Sequence, residues 1–414
     1  MCTENASVVA KPKVKDLFAV VRAQGLLPGG LSFEQARAAR DIERCRTAAL
    51  GGHIQRCGAC GNEEPRYNSC RNRHCPECQS LRQARWLMAR EERMLKVGCF
   101  HVVFTVPKQL RGVTYLNQRE LYGLLFKAAS QTLLELSASQ RWLGGQPGVT
   151  AVLHTWRRDL GYHPHLHCLV TAGGLSPDGE RWVDSDPNFL APVRVMGKLF
   201  RGKFMEGLKS LHHRGALKLP EGLTHPTAYQ HWLDTLYGKR WQVYAKRPFS
   251  GPGQVMSYLG RYTHRVAISS SRLRTFDGEM ITFATRGDER AKLPVETFVG
   301  RFLRHVLPKG FTKIRHYGLW APGNVNGRLE VAREKVEEGL GRSEQADGEA
   351  EVEERAEGDG GAVQDWKALL KAVTDVDVRR CRKCGAEAVL EWPLPPRNGE
   401  DGARGPPNGR GSLG

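Results

Sequence analysis

The spacing of apolar and polar residues changes period several times along the chain, and each change marks an element. Cys99-Phe-His-Val-Val-Phe-Thr-Val106 reads as a strand that Pro107 ends. Asn117 to Ser137 switches to helical spacing, with Leu121, Leu124, Leu125, Ala128 and Leu133 on one face. Val149 to Arg157 is a second strand, and the turn at Asp159-Leu160-Gly161 returns the chain into a third as a hairpin. That third strand reads His163-Pro-His165-Leu-His167-Cys-Leu-Val170. Side chains alternate faces along a strand, so the three imidazoles point one way, and Leu166, Cys168 and Val170 point into a core. Further helices are expected over Phe33 to Arg46, Ser80 to Leu95, Val195 to His213 and Val295 to Val306. Another runs from about Pro252 to Arg265, with Ser250 as its cap and Pro252 at an early position. Short strands are expected at Trp241 to Ala245, Val266 to Ser269 and Met280 to Ala284.

This pattern divides the chain into consecutive blocks. Residues 1–94 form a helical, cysteine-rich domain. Residues 95–320 form an α+β domain in which about 173–240 is an insertion, including the basic helix with Lys198, Arg201, Lys203 and Lys209. Residues 321–365 are an acidic, flexible linker, 366–394 a short Cys-containing segment and 395–414 a disordered tail.

Charge adds a partner. Over 414 residues the formal net charge is +18, although Glu344 to Asp359 carries a net −7. A basic excess of this size points to nucleic acid, the usual polyanion, over a surface that is merely well solvated. No window approaches the roughly 20 apolar residues of a membrane span, and Met1 to Lys15 lacks an apolar signal core. The expected location is therefore cytoplasmic and nucleoid-associated, with no membrane partner and with reduced thiols.

The 11 cysteines cluster, which favours metal over disulfides. Cys57-X-X-Cys60 and Cys75-X-X-Cys78 are separated by 14 residues, and two such knuckles complete a four-sulfur shell for structural Zn²⁺. Cys45, Cys70, His53 and His74 lie nearby, so a different ligand set or a second ion stays open. Arg66, Arg71, Arg73 and Arg82 surround the knuckles and suit DNA phosphates. Cys381-X-X-Cys384 is half a site.

Gln254-Val-Met-Ser-Tyr258-Leu-Gly-Arg-Tyr262-Thr-His-Arg265 sets two tyrosines at i and i+4, on one helix face about 6 Å apart along the axis. A tyrosine pair alone is more often packing. Flanked by Arg261 and Arg265, in a basic chain with a histidine strand, it reads as a nucleophile pair. A tyrosine hydroxyl can attack a phosphodiester where a metal neutralises the phosphate.

His165-Leu-His167 with Tyr258 and Tyr262 resembles the two-tyrosine branch of the HUH single-strand endonucleases. Together with Ser69-Cys-Arg-Asn-Arg-His-Cys-Pro-Glu-Cys78 and Tyr258-Leu-Gly-Arg-Tyr-Thr-His-Arg265, the pattern is similar to the IS91-like rolling-circle transposases over roughly residues 40–320. The resemblance implies an α+β, ferredoxin/RRM-like HUH endonuclease palm, an antiparallel sheet with helices, beside the zinc-binding domain. It also implies His165 and His167 as metal ligands and Tyr258 and Tyr262 as nucleophiles. The reaction would nick single-stranded element ends, leaving a 5′-phosphotyrosine and a 3′-OH, and then transfer the strand to target DNA. A third metal ligand is drawn from Gln254, His163 or His264, with Gln254 preferred on helical geometry. Mixed nitrogen and oxygen ligation suits Mg²⁺ or Mn²⁺. The same motifs would serve a plasmid or phage replication initiator. A non-catalytic zinc protein binding nucleic acid is the remaining alternative.

Overall fold

The computed structural model describes residues 11–186, 190–249, 260, 267–346, 377, 379–387 and 389–396. From the N-terminus run α1 (Val14–Ala23), α2 (Phe33–Arg44), β1 (Gly52–Cys57), β2 (Glu63–Tyr67) and α3 (Ser80–Glu91). Then come β3 (Cys99–Thr105), α4 (Arg111–Leu116), α5 (Gln118–Ala138), β4 (Gly148–Trp156), β5 (Tyr162–Thr171), β6 (Gly173–Leu175) and β7 (Trp182–Asp184). They are followed by α6 (Val193–His213), α7 (Pro226–Gly238), β8 (Gln242–Phe249), β9 (Leu273–Phe276), β10 (Met280–Ala284) and β11 (Arg290–Pro294). The last are α8 (Val295–Leu303), β12 (Ile314–Gly318), α9 (Arg328–Ala346) and β13 (Val389–Leu394). No described helix is long and apolar enough to cross a membrane.

Two compact units form, and neither is a continuous block. One comprises residues 82–268 and 304–361, the other 1–81, 269–303 and 362–414.

The larger unit is built on a five-stranded sheet of order β12-β4-β5-β3-β8, antiparallel throughout. Chain order β3-α5-β4-β5-α6-β8 on that sheet is the ferredoxin-like βαββαβ arrangement, with β12 added at one edge. One sheet face is apolar: Phe100, Phe104, Leu153, Leu166, Cys168 and Val170 pack with Phe126 of α5 and with Phe200 and Phe204 of α6. Phe104 and Phe200 meet edge-on, their centroids 5.0 Å apart.

Two expectations about this unit are corrected. The stretch 173–240 is not an insertion, because α6 is the second helix of the palm. Its Met196, Phe200, Phe204, Met205 and Leu208 fall on one helical face and are buried, whereas the lysines and arginines that dominate its composition lie off that face. The region after residue 328 is not all linker. Leu329 and Ala332 of α9, one turn apart, pack with Leu95, Cys99, Leu169, Leu319 and Trp320, and this burial holds a helix in an acidic sequence.

The smaller unit explains the break in the larger one. The apolar stripes of α1 (Val14, Leu17, Phe18, Val21) and α2 (Ala38, Ala39, Ile42) are too short to enclose a core alone. α8 adds Phe298 and Phe302, and Phe18 meets Phe302 edge-on at 5.4 Å. β9, β10 and β11 form a meander over which Phe283 packs against Phe298 at 5.5 Å. Residues 267–269 are not a strand; that strand begins at Leu273. Ser32 caps α2 through a reciprocal box with Gln35. β13 pairs antiparallel with β1, which also pairs with β2.

Candidate functional site

The face of the palm sheet opposite the two helices carries imidazoles. β5 lies at the centre of the sheet, with His163, His165 and His167 on that face by alternation. Their roles differ. His165 donates Nδ1–H to the His163 carbonyl at 2.7 Å, which fixes its tautomer and leaves the Nε2 lone pair outward. His167 Nδ1 lies 2.9 Å from Nε2 of His101 on β3, with the rings stacked at 5.1 Å. With that bond donated from His167, its Nε2 also presents a lone pair.

The two Nε2 atoms lie 3.1 Å apart. Two ligands at right angles, each about 2.1 Å from one ion, would be about 3.0 Å apart. His154, directly across from His165 on β4, joins them, and the ligand atoms of His154, His165 and His167 lie within 4.8 Å of one another. His163 is instead held by Arg111, which donates to its Nδ1 at 2.8 Å. Burial is the main force lowering these groups: it brings His165, His101 and His163 down to about 4 and takes His167 well below the ordinary range. At neutral pH they are neutral nitrogen donors, the form that binds metal.

His154 was missed in the sequence. Plain counting back from a hairpin closed at residues 157–161 puts Pro164 opposite it, and a register shift between His154 and Trp156 brings it across from His165 instead.

Gln254, Tyr258, Arg261, Tyr262, His264 and Arg265 lie outside the described residues. Gly260, between the two tyrosines, is described: it is helical and buried. The Gln83 side chain donates to its carbonyl, and a Cβ there would lie 3.2 Å from Leu87 of α3.

The cysteines do not assemble as Cys57, Cys60, Cys75 and Cys78. Instead, Cys45, Cys70, Cys75 and Cys78 form one group, and Cys57 and Cys60 join Cys381 and Cys384 in another. The reason lies in the backbone. Cys45 ends α2 and accepts from the Cys70 amide at 3.5 Å, so the loop carrying Cys75 and Cys78 closes on α2. Asn72 ties that loop down, donating to Asp41 at 2.9 Å and accepting from the His74 amide at 2.9 Å. Cys57 ends β1, whose other edge is taken by β13. Neither His53 nor His74 belongs to either group.

In the first group Cys70 and Cys78 sulfurs are 3.8 Å apart. A tetrahedron with bonds of about 2.3 Å has edges of about 3.8 Å, so the four thiols fit zinc. Arg71 is exposed on this loop, whereas Arg66 is engaged by Glu64 at 2.6 Å and by Gln55 at 2.8 Å.

Comparison with known proteins agrees with both halves. Residues 15–106 match the family described as a transposase zinc-binding domain, and residues 148–328 match a family described as a putative transposase. A putative transposase of Sinorhizobium fredii is 40% identical over 409 residues, covering 96% of this chain and 97% of the relative. The transposase for insertion sequence element IS801 of Pseudomonas savastanoi pv. phaseolicola is 28% identical over 321 residues, 74% of this chain and 76% of the relative. No solved structure matches.

Proposed function

Because the chain belongs to the IS91-like transposases, with their N-terminal zinc-binding domain, we propose that it moves DNA by a rolling-circle route using tyrosine chemistry. Its substrate would be single-stranded element ends, followed by target DNA. The observation that carries this reading is the pair of Nε2 atoms 3.1 Å apart on the central palm strand.

In this reading His165, His167 and His154 hold a Mg²⁺ or Mn²⁺ ion, with Gln254 a further candidate ligand. The ion supplies neutralisation of the scissile phosphate. His101 orients His167, and Arg111 holds His163 beside the site. Arg261 and Arg265 bring the phosphate to the tyrosines. Oη of Tyr258 or Tyr262 forms the new bond to phosphorus and gives up its proton. The P–O3′ bond breaks, and the leaving oxygen is protonated to a 3′-OH. One phosphodiester replaces another, so the reverse attack by a 3′-OH on the phosphotyrosine needs no nucleotide hydrolysis. Two tyrosines allow two such exchanges.

Zinc is structural in this family's N-terminal domain, and Cys45, Cys70, Cys75 and Cys78 would hold it. Arg71 and Arg73 beside that loop would dock DNA phosphates.

The test is nicking of labelled single-stranded ends in Mg²⁺ or Mn²⁺, read on denaturing gels. The Tyr258→Phe/Tyr262→Phe double variant should lose the covalent DNA adduct; an adduct that persists would sink the nucleophile assignment. His165→Ala should abolish metal-dependent nicking.

A further inference from the structure

Cys57, Cys60, Cys381 and Cys384 come from opposite ends of the chain, and Cys60 and Cys381 are 321 positions apart. We propose that these four sulfurs form a second zinc site, which fastens the chain's C-terminal strand to the zinc-binding unit. It rests on the preceding reading only in taking zinc as the available metal.

Distance is the first argument. Cys57 Sγ lies 3.6 Å from Cys384 Sγ, and Cys60 Sγ lies 3.7 Å from Cys381 Sγ. Both match the roughly 3.8 Å edge of a tetrahedral zinc–thiolate shell, and both are far longer than the ~2.05 Å of a disulfide. All four sulfurs lie within 4.8 Å of one another.

Backbone geometry is the second and independent argument. Both segments read Cys-X-X-Cys-Gly, and they fold alike. The Gly61 amide donates to the Cys57 carbonyl at 2.9 Å, and the Gly385 amide donates to the Cys381 carbonyl at 2.8 Å. The Cys57 amide then bonds the Asn62 carbonyl, and the Cys381 amide bonds the Ala386 carbonyl, both at 2.9 Å. Gly61 and Gly385 both take positive φ, 66° and 76°, which lets the chain turn back after each second cysteine. Two identical knuckles facing one another supply two sulfurs each, the arrangement of a zinc ribbon.

The third argument is a lack of other support. Among the described residues β13 has one neighbouring strand, β1, and the three-stranded sheet it completes has mostly half-exposed residues. A three-stranded sheet whose described residues are mostly half-exposed gains from a staple, and metal binding provides one at the moment of folding. On binding, each thiol releases its proton to solvent, and Zn²⁺ with four thiolates leaves a net −2. Arg56, Arg382 and Lys383 lie exposed within or beside the knuckles, near that charge.

The test is elemental analysis of the full-length protein together with residue-by-residue thiol alkylation. The expected result is two zinc ions per chain, falling to one in Cys381→Ser/Cys384→Ser. Cys60 and Cys384 are exposed, so as bare thiols they would alkylate at the rate of a free surface cysteine. As ligands they should resist until a chelator is added, and this comparison uses the unaltered protein. One zinc per chain in the wild type, an unchanged count in the double variant, or rapid alkylation of Cys60 and Cys384 before chelation would each overturn the proposal. So would an intact mass showing a disulfide among these four. Loss of nicking in a tyrosine variant leaves these readouts unmoved, so the two proposals fail separately.

Discussion

At the scale of single residues, the histidines divide into those that present a nitrogen and those that fix another ring. His101 belongs to the second kind, since its Nε2 lies 2.9 Å from His167 Nδ1. Removing such an outer partner commonly costs 10–100-fold in metal affinity, so His101→Ala should weaken Mn²⁺ binding by about that factor. Titration of Mn²⁺ by calorimetry checks this, and an unchanged affinity would remove His101 from the site. His305 acts on stability instead. Its Nε2–H donates to the Leu160 carbonyl at 3.1 Å, and its Nδ1 accepts from Thr155 at 3.1 Å. Burial lowers its pKa from 6.5 to about 4, so between those values the unfolded chain binds the proton that the folded chain refuses. Its contribution is full above pH 6.5 and is lost as pH falls towards 4, by up to roughly 3 kcal/mol. Urea unfolding at pH 7.5 and 5 should therefore show a smaller loss for His305→Gln than for the wild type. The sequence displayed the run His163-Pro-His165-Leu-His167 openly. The family resemblance singled out His165 and His167, but the residue pattern alone did not, because which rings converge depends on the His163 carbonyl, Arg111 and His101.

At the scale of elements, α6 shows why periodicity succeeded in finding a helix and failed in placing it. The spacing of Met196, Phe200 and Phe204 predicts an amphipathic helix, but does not name the sheet it covers. Its glycines record that placement. A Cβ on Gly197 would lie 2.8 Å from the Trp241 carbonyl, a backbone atom that cannot swing aside, whereas a Cβ on Gly202 meets nothing within 4 Å. Alanine gains up to about 1 kcal/mol over glycine in a helix interior. Gly202→Ala should therefore raise stability by up to that amount. Gly197→Ala should lower it, because overpacking costs about 1–3 kcal/mol and exceeds the helix gain. Thermal unfolding of both variants decides it, and two shifts of the same sign would contradict the packing of α6 on the β8 approach. The β3, α5, β4 and β5 boundaries, by contrast, were legible to within a residue or two, since each has a clean period and Pro107 or a tight turn at its end.

At the scale of the whole molecule, local pattern could not show that residues 269–303 and 377–396 return to the N-terminal unit. The edge-on partner of Phe302 is Phe18, 284 positions away, and no periodicity spans that distance. Charge is likewise a property of the whole, and the fold gives part of it a location. Arg194, Lys198, Arg201, Lys239 and Arg240 line a cavity of about 340 Å³ beside Trp241. Arg201 is committed to the Tyr237 and Lys239 carbonyls, whereas Arg194 and Lys198 stand on the α6 wall of the same cavity. If a single strand tracks this cleft, each cation that neutralises a phosphate contributes about 0.7 to the slope of log affinity against log salt. Arg194→Ala/Lys198→Ala should then flatten that slope by about 1.4. Affinity should fall most at low salt and converge with the wild type as salt rises. Fluorescence anisotropy of a labelled oligonucleotide over a salt series measures this directly. A double variant with the wild-type slope would show that DNA passes elsewhere on the basic surface, and would leave the cleft to packing between α6 and the segment that leads into β8.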